Sequence, residues 1–247
     1  MKRLLLCVAL LTCLSGASVA QGQEGGRREP PTPPAEKKYQ IDIDYSQTPE
    51  LKEWVDTKLR PVLEEWYPII LADLPSEGFT PPQRFIVTIE ANGQGVAATG
   101  GTRVTVSAKW IKSQEARGPQ NESVGSVVHE AVHVAQQYGR ARGRNRVPGW
   151  LTEGIADYIR WWKFEPASVR RPVNPIKRNG QPASYTDSYQ TTAAFLEYVA
   201  KNHDHEIVVK MNAAGRDGTY SPDLWKKYTG KTVDELWAEF VQTLKKP

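Results

Sequence analysis

The sequence is poor in cysteine, which excludes a fold held together by disulfide bonds. Cys7 and Cys13 are the only two cysteines in 247 residues, and both lie near the N-terminus. The rest of the chain must draw its stability from a hydrophobic core and from any metal that it binds. The 8 tryptophans are consistent with a sizeable core.

The sequence also lacks a long apolar run. The run at residues 4–14 is too short to span a membrane, which takes about 20 apolar residues. It follows Lys2 and Arg3 and precedes Ser18-Val19-Ala20, which is the layout of a secretory signal peptide. We therefore expect residues 1–20 to be removed after Ala20. The mature protein is expected to be secreted or periplasmic, with no membrane span.

Neither sign of charge is in clear excess. The chain has 32 Lys and Arg against 28 Asp and Glu, and two of the basic residues lie in the expected signal peptide. This near balance, without a basic stripe, gives no reason to expect a nucleic-acid partner. Residues 21–38 are rich in Gly and Pro and predict a disordered tether. We expect one domain over residues 39–247, acting as a monomer.

What the sequence does contain is one apolar segment that carries two histidines and a glutamate. Residues 126–138 read SVVHEAVHVAQQY and are apolar almost all round, which predicts a buried helix. His129 and His133 lie on one face of that helix, about 6 Å apart along its axis. Two imidazoles so placed can bind one metal ion, and Glu130 can act as the base in metal-assisted hydrolysis.

Two acidic residues follow on a second predicted helix, Glu153 and Asp157 in WLTEGIADY. Glu153 would complete a three-ligand site and leave the fourth position of a zinc ion open, as catalytic zinc requires. Asp157, one turn later, is expected to accept a hydrogen bond from the outer ring nitrogen of a ligand histidine, His129. The alternative is that both are ordinary acids near a helix N-terminus.

These residues resemble the gluzincin metallopeptidases. More closely, five blocks resemble, in order, the plant basic secretory proteins and their bacterial relatives: GVAATGGTRVTVSAKWI, VVHEAVHVAQQYG, PGWLTEGIADYIRWW, SYQTTAAFLEYV and TGKTVDELWAEFV. The resemblance implies zinc held by His129, His133 and Glu153, with Glu130 as the general base. One departure is Gln136-Gln137-Tyr138, where family members often carry tryptophan.

The predicted elements agree with an α+β fold of the zincin type. Strands are predicted at 39–46, 84–91 and 102–108, the last forming a hairpin with 96–99. Helices are predicted at 48–74, kinked or split by Pro61 and Pro68, and at 126–138, 150–164, 188–201, 221–228 and 232–244. We expect a small mixed sheet packed on the metal-binding helix and a helical C-terminal half.

Two segments are candidates for contact with a substrate. The resemblance implies that the strand just before the metal-binding helix borders the cleft and holds an extended peptide, unless the hairpin is only structural. Residues 139–148 carry four arginines and predict a flexible basic loop. Its tip either overhangs the cleft and favours acidic substrates, or is simply solvated.

A tyrosine is expected to stabilise the oxyanion of the reaction. The segment SYQTTAAFLEYV resembles the one that carries the catalytic tyrosine in gluzincins, which implies this role for Tyr189. Tyr185 is the second candidate. Alternatively, Tyr189 packs against Phe195 or Leu196 and bonds a backbone group.

The sequence therefore predicts a secreted zinc peptidase that hydrolyses a peptide or protein substrate. Two alternatives stay open: a secreted metal-containing binding or defence module without turnover, and a hydrolase directed at glycopeptides. Glu130 argues against the binding module, because a carboxylate that ligates nothing has no use there. Whether cleavage is internal or terminal is not determined.

Overall fold

The computed structural model describes residues 38–141, 143–165, 172–177 and 179–244. They form an α+β domain in which a four-stranded mixed sheet packs on helices, and this confirms the predicted α+β class with a small mixed sheet. The predicted signal peptide, and the tether apart from Lys38, lie outside the described residues. Within those ranges, no helix combines the length and the apolar character needed to cross a bilayer.

Residues of alternating burial build the sheet. Its strands are β1 (Gln40–Asp44), β2 (Arg84–Glu90), β3 (Ala97–Gly100) and β4 (Arg103–Ser107), arranged in the order β1-β2-β4-β3. The β1/β2 and β2/β4 pairs are parallel, and β3 is antiparallel to β4. Gly101 makes the tight turn between them at a φ of 63°, a conformation that favours glycine. The predicted strands and hairpin are confirmed.

The chain between β1 and β2 is helical and changes pitch along its length. A 3₁₀ turn (Pro49–Leu51), α1 (Lys52–Trp54), a π-helical turn (Val55–Leu59) and α2 (Arg60–Asp73) follow one another. The last change of pitch falls just before Pro61, which has no N–H to donate within a regular helix. Pro68 lies inside α2. The helical elements follow one another without a gap from Pro49 to Asp73, so neither proline splits the helix.

The helix with the two histidines lies at the centre of the domain. After α3 (Ala108–Glu115), the chain forms α4 (Ser123–Gln136), and 12 of its 14 residues are buried. It packs against β3, β4 and α2. The predicted buried helix is confirmed, although it begins three residues earlier than expected. α3 was not predicted; the Ser107 hydroxyl accepts from the Trp110 N–H and caps its start.

The C-terminal half is helical. α5 (Gly149–Tyr158) continues into a π-helical turn (Ile159–Phe164), and α6 (Tyr189–Asn202), α7 (Ile207–Asp217), α8 (Asp223–Thr229) and α9 (Val233–Leu244) follow. α5 and α6 can approach closely because Gly154 has no side chain. A Cβ at this position would come within 2.2 Å of a Thr192 methyl carbon. The predicted helices of this half are confirmed, and α7 is an additional one.

Two buried arginines hold the ends of α4. At its start, Arg160 donates to Glu122 (3.0 Å) and to Glu165 (3.2 Å). At its end, Arg216 of α7 donates to the carbonyls of Ala135 and Gln136. Burial lowers the pKa of Arg216 to about 10, so it stays charged at neutral pH. These contacts anchor α4 at both ends, on either side of its two histidines.

The arginine-rich loop is attached to the domain through Gly143 and Asn145. The N–H of Gly143 donates to the carbonyl of Asp217 (3.0 Å), and the N–H of Asn145 donates to that of Gly218 (3.1 Å). A Cβ on Gly143 would come within 2.2 Å of the Gly218 carbonyl, so only glycine allows this contact. The sequence analysis did not predict this attachment. Arg142 lies outside the described residues.

Candidate metal centre and active-site cleft

Three side chains from two helices converge at the middle of α4. His129 Nε2 lies 3.1 Å from His133 Nε2 and 3.1 Å from Glu153 Oε2, and His133 Nε2 lies 3.2 Å from the same carboxylate oxygen. The histidines are neighbours because they are one helical turn apart. Glu153 reaches them from α5. These three residues therefore form a group that could hold a metal ion.

The spacing of the three atoms fits a small tetrahedral ion. Zinc binds histidine nitrogen and carboxylate oxygen at about 2.0–2.2 Å, which puts neighbouring ligand atoms of a tetrahedral site about 3.3–3.6 Å apart. The observed triangle has sides of 3.1, 3.1 and 3.2 Å, close to that value. Three protein ligands also leave a fourth position free, as in catalytic zinc sites. The donor set and its geometry thus fit a bound divalent metal.

The charges at the site also favour a cation. Burial disfavours the charged form of His129, but hydrogen bonds to Asp157 and Glu153 outweigh it and raise its pKa to about 9. Burial raises the pKa of Glu153, yet its contacts with His129 and His133 prevail and lower it to about 2. Protonation of His129 thus places a positive charge between carboxylates. A metal ion would supply positive charge at the same place.

Each histidine is also held through its outer ring nitrogen. His129 Nδ1 lies 2.7 Å from Asp157 Oδ1, and both side chains are buried. His133 Nδ1 lies 2.6 Å from Gln136 Oε1. The predicted contact of Asp157 with His129 is present. The contact of Gln136 was missed, although its position three residues after His133 places it within reach on the helix.

Glu130 lies beside the three converging side chains rather than among them. It lines the cleft, and its Oε2 accepts a hydrogen bond of 2.7 Å from the hydroxyl of Thr99 on β3. The same hydroxyl also lies 3.1 Å from the Glu130 carbonyl. The sequence analysis did not single out Thr99. Its contact fixes the carboxylate of Glu130 against the sheet.

The strand that borders the cleft is β3, not the one expected. β4 is paired on both sides, with β2 and β3, so its backbone is not available to a substrate. β3 lies at the edge of the sheet, and Ala97, Ala98 and Thr99 line the cleft. The prediction for the strand just before the metal-binding helix was therefore wrong. The hairpin places its first strand at the edge.

The two candidate tyrosines lie in different environments. Tyr189, at the start of α6, lines the cleft, is 52% exposed, and stacks on His129 with ring centroids 6.1 Å apart. The negative charge of Glu153, followed by partial burial, raises the pKa of Tyr189. The hydroxyl of Tyr185 instead donates to Asp234 (3.1 Å). Tyr189 therefore points into the cleft, whereas Tyr185 belongs to the packing of the helical half.

The three residues of the metal centre, together with Glu130, Thr99 and Tyr189, line one cleft of about 1280 Å³ that follows α4. Ser126 and Gln137, near the two ends of the helix, both line it and are about 16 Å apart along the axis. Val96, Trp161, Pro172 and Val173 give it apolar walls. Arg140 is also in its lining. A cleft of this length, open along a strand edge, suits an extended chain better than a compact small molecule.

The fold and the site define an α+β protein with a candidate metal centre of two histidines and one glutamate in a cleft. A comparison with known families gives a more particular result. The chain belongs to the family described as BSP, peptidase of plants and bacteria, whose model matches residues 32–240. This confirms the resemblance to the basic secretory proteins, and the family implies a peptide or protein substrate. No curated protein and no solved structure matches the chain.

Proposed function

We propose that the protein is a secreted zinc peptidase of zincin-like architecture that hydrolyses peptide bonds with Glu130 as the general base. The observation that carries this proposal is the triangle of His129, His133 and Glu153 with a carboxylate beside it, in a cleft bordered by a strand edge. Two imidazoles and one carboxylate are typical ligands of catalytic zinc. A bound zinc supplies an activated water and a polarised carbonyl at such a site.

The residues of the chain carry out the proton transfers. Glu130 takes a proton from the attacking water and returns it to the leaving amine, because it faces the cleft and ligates nothing in this arrangement. Its Oε2 is held by Thr99, which keeps the carboxylate at a constant distance from β3. Asp157 keeps the ring of His129 in the orientation that turns Nε2 towards His133 and Glu153.

The substrate backbone is positioned by β3. An edge strand offers unpaired N–H and C=O groups, and an extended peptide can add to it as a further strand. Thr99 on this strand contacts Glu130, so a peptide paired with β3 would pass the proposed base. This arrangement favours a substrate-binding role for the hairpin over the alternative that it is only structural.

A library of peptides and glycopeptides, incubated with the protein in the presence and absence of a chelator, tests this function. We expect cleavage of unmodified peptides that chelation abolishes and added zinc restores. Cleavage restricted to glycopeptides would instead support the glycopeptide hydrolase. A protein that binds zinc and cleaves neither class would be the binding module, and the proposed function would fail.

Asp157 provides a prediction for metal affinity. Asp157→Ala removes the partner of His129 Nδ1 and should weaken zinc binding by about 10- to 100-fold, because the ring loses its fixed orientation. Asp157→Asn keeps an oxygen acceptor and should lose less. Competition with a calibrated chelator measures both variants. An unchanged affinity in Asp157→Ala would make the residue an ordinary helix acid.

Arg140 provides a prediction for substrate preference. It is exposed in the cleft lining just after the end of α4, so an acidic substrate side chain there would be attracted. The ratio of kcat/KM for a Glu peptide to that for its Gln counterpart should fall by roughly 2- to 5-fold in Arg140→Gln, the usual effect of an exposed ion pair. Arg144, exposed in the same loop outside the cleft lining, is the matched control. Equal ratios in Arg140→Gln and wild type, at every peptide position tested, would assign the loop to solvent.

A further inference from the structure

The side chain of Gln136 joins the two helices of the metal centre. It is buried, at 2% exposure, and it uses both ends of its amide. Oε1 lies 2.6 Å from His133 Nδ1, and Nε2 donates to the carbonyl of Thr152 at 2.9 Å. His133 and Thr152 belong to α4 and α5, and Thr152 precedes Glu153. One side chain thus contacts a histidine of the site and the backbone beside its carboxylate.

The amide has only one orientation that satisfies both contacts. A backbone carbonyl can only accept a hydrogen bond, so the NH₂ group of Gln136 must face Thr152. Its oxygen must then face His133, and the ring can bond this oxygen only by donating from Nδ1. In a neutral ring, the proton on Nδ1 leaves Nε2 with a free lone pair. That lone pair faces His129 Nε2 and Glu153 Oε2, at 3.1 and 3.2 Å.

The backbone keeps Gln136 itself in place. Arg216 donates to the carbonyl of Gln136 at 3.3 Å and to that of Ala135 at 2.7 Å, so the last turn of α4 is fixed where the side chain begins. Gln137 follows in a left-handed conformation, with a φ of 50°, which ends the helix at this point. The amide of Gln136 therefore extends from a fixed turn of α4 to the backbone of α5 at Thr152.

We propose that Gln136 is a positioning residue for the metal centre, which sets the tautomer of His133 and the spacing between α4 and α5 next to Glu153. This inference rests on the ligand roles given to His133 and Glu153 in the proposed function. It gives the two histidines different supports. His129 bonds a carboxylate, and His133 bonds a neutral amide, which adds no negative charge to a site that already holds Glu130, Glu153 and Asp157.

The first test uses the metal-free wild-type protein. Long-range ¹H–¹⁵N spectra of the histidine rings report which nitrogen carries the proton. We expect His133 in its neutral form to be protonated on Nδ1, and this preference to be lost in Gln136→Met, whose side chain has similar length and no amide. A wild-type His133 protonated on Nε2 would overturn the inference, whether or not the variant folds.

The second test measures zinc affinity by competition with a chelator. Gln136→Met should bind zinc about 10- to 100-fold more weakly than the wild type, the usual effect of losing such a support. Gln114→Met is the matched control, because Gln114 is also fully buried but its amide contacts Arg117 and the N–H of Glu122. The control should keep its zinc affinity. Equal affinity in Gln136→Met and wild type would overturn the inference.

These outcomes separate the inference from the proposed function. A wild-type protein that binds no zinc would contradict the proposed function, while the tautomer of His133 in the metal-free protein would still test the position of Gln136. A variant that binds zinc normally, in a protein that cleaves peptides, would contradict only the role of Gln136.

Discussion

Replacing Glu130 with glutamine should reduce turnover by about 10²- to 10⁴-fold, the contribution of a general base, and leave the metal and the fold in place. The amide has the shape of the carboxylate but cannot take a proton from water at neutral pH. Its oxygen can still accept the hydrogen bond from Thr99 that Oε2 now accepts. Steady-state kinetics, metal analysis and the melting temperature together measure the effect.

The matched comparison for this variant is His133→Ala. That change removes one corner of the triangle, so both metal content and turnover should be lost. If Glu130→Gln were found without metal, Glu130 would be a ligand rather than the base. If it kept wild-type turnover, the proton would have to be taken by another group, and the proposed mechanism would be wrong.

Replacing Tyr189 with phenylalanine should reduce turnover by roughly 10²- to 10³-fold, because the variant lacks one donor for the oxyanion. Tyr189 is the cleft-lining tyrosine whose ring stacks on His129, and a phenol is protonated at neutral pH. Its 52% exposure argues against the alternative of a tyrosine packed against Phe195 or Leu196. The change removes only a hydroxyl, so zinc content and melting temperature should hardly move.

Tyr185→Phe is the matched control, four residues earlier in the chain. It removes a hydroxyl bonded to Asp234, which should cost about 1 kcal/mol of stability and leave turnover unchanged. The opposite pattern, with turnover lost in Tyr185→Phe and kept in Tyr189→Phe, would transfer the role to Tyr185. A parallel loss of stability and activity in Tyr189→Phe would assign Tyr189 to packing.

Most elements could be predicted because their patterns are local. β2 and α9 show regular periodicities within a dozen residues, and the structure confirms both. α7 could not be predicted in this way. It contains Asn212 and Gly215, which have low helix propensity, and Asn212 is buried where it donates to the carbonyl of Leu74 and accepts from the hydroxyl of Tyr138. These partners come from distant parts of the chain, so no sequence window contains them.

The arginine-rich loop shows the same limit. Its composition is typical of a flexible segment, and nothing near Gly143 indicates a partner. The partner is the end of α7, where the carbonyls of Asp217 and Gly218 accept from the loop. The close approach of Gly143 and Gly218 requires two glycines that are far apart in sequence. Each reads locally only as a turn residue.

The sequence by itself determined the pair His129 and His133, because two residues one turn apart on a helix share a face wherever the helix lies. It also determined which types of side chain, imidazole and carboxylate, are available to the metal centre. Only the tertiary structure decided that Thr99 holds Glu130 and that Gln136 reaches Thr152, since these contacts join residues 31 and 16 positions apart. It likewise decided that β3 is the free edge. Strand order and helix packing depend on how the whole core is buried, and no local periodicity in the sequence indicates them.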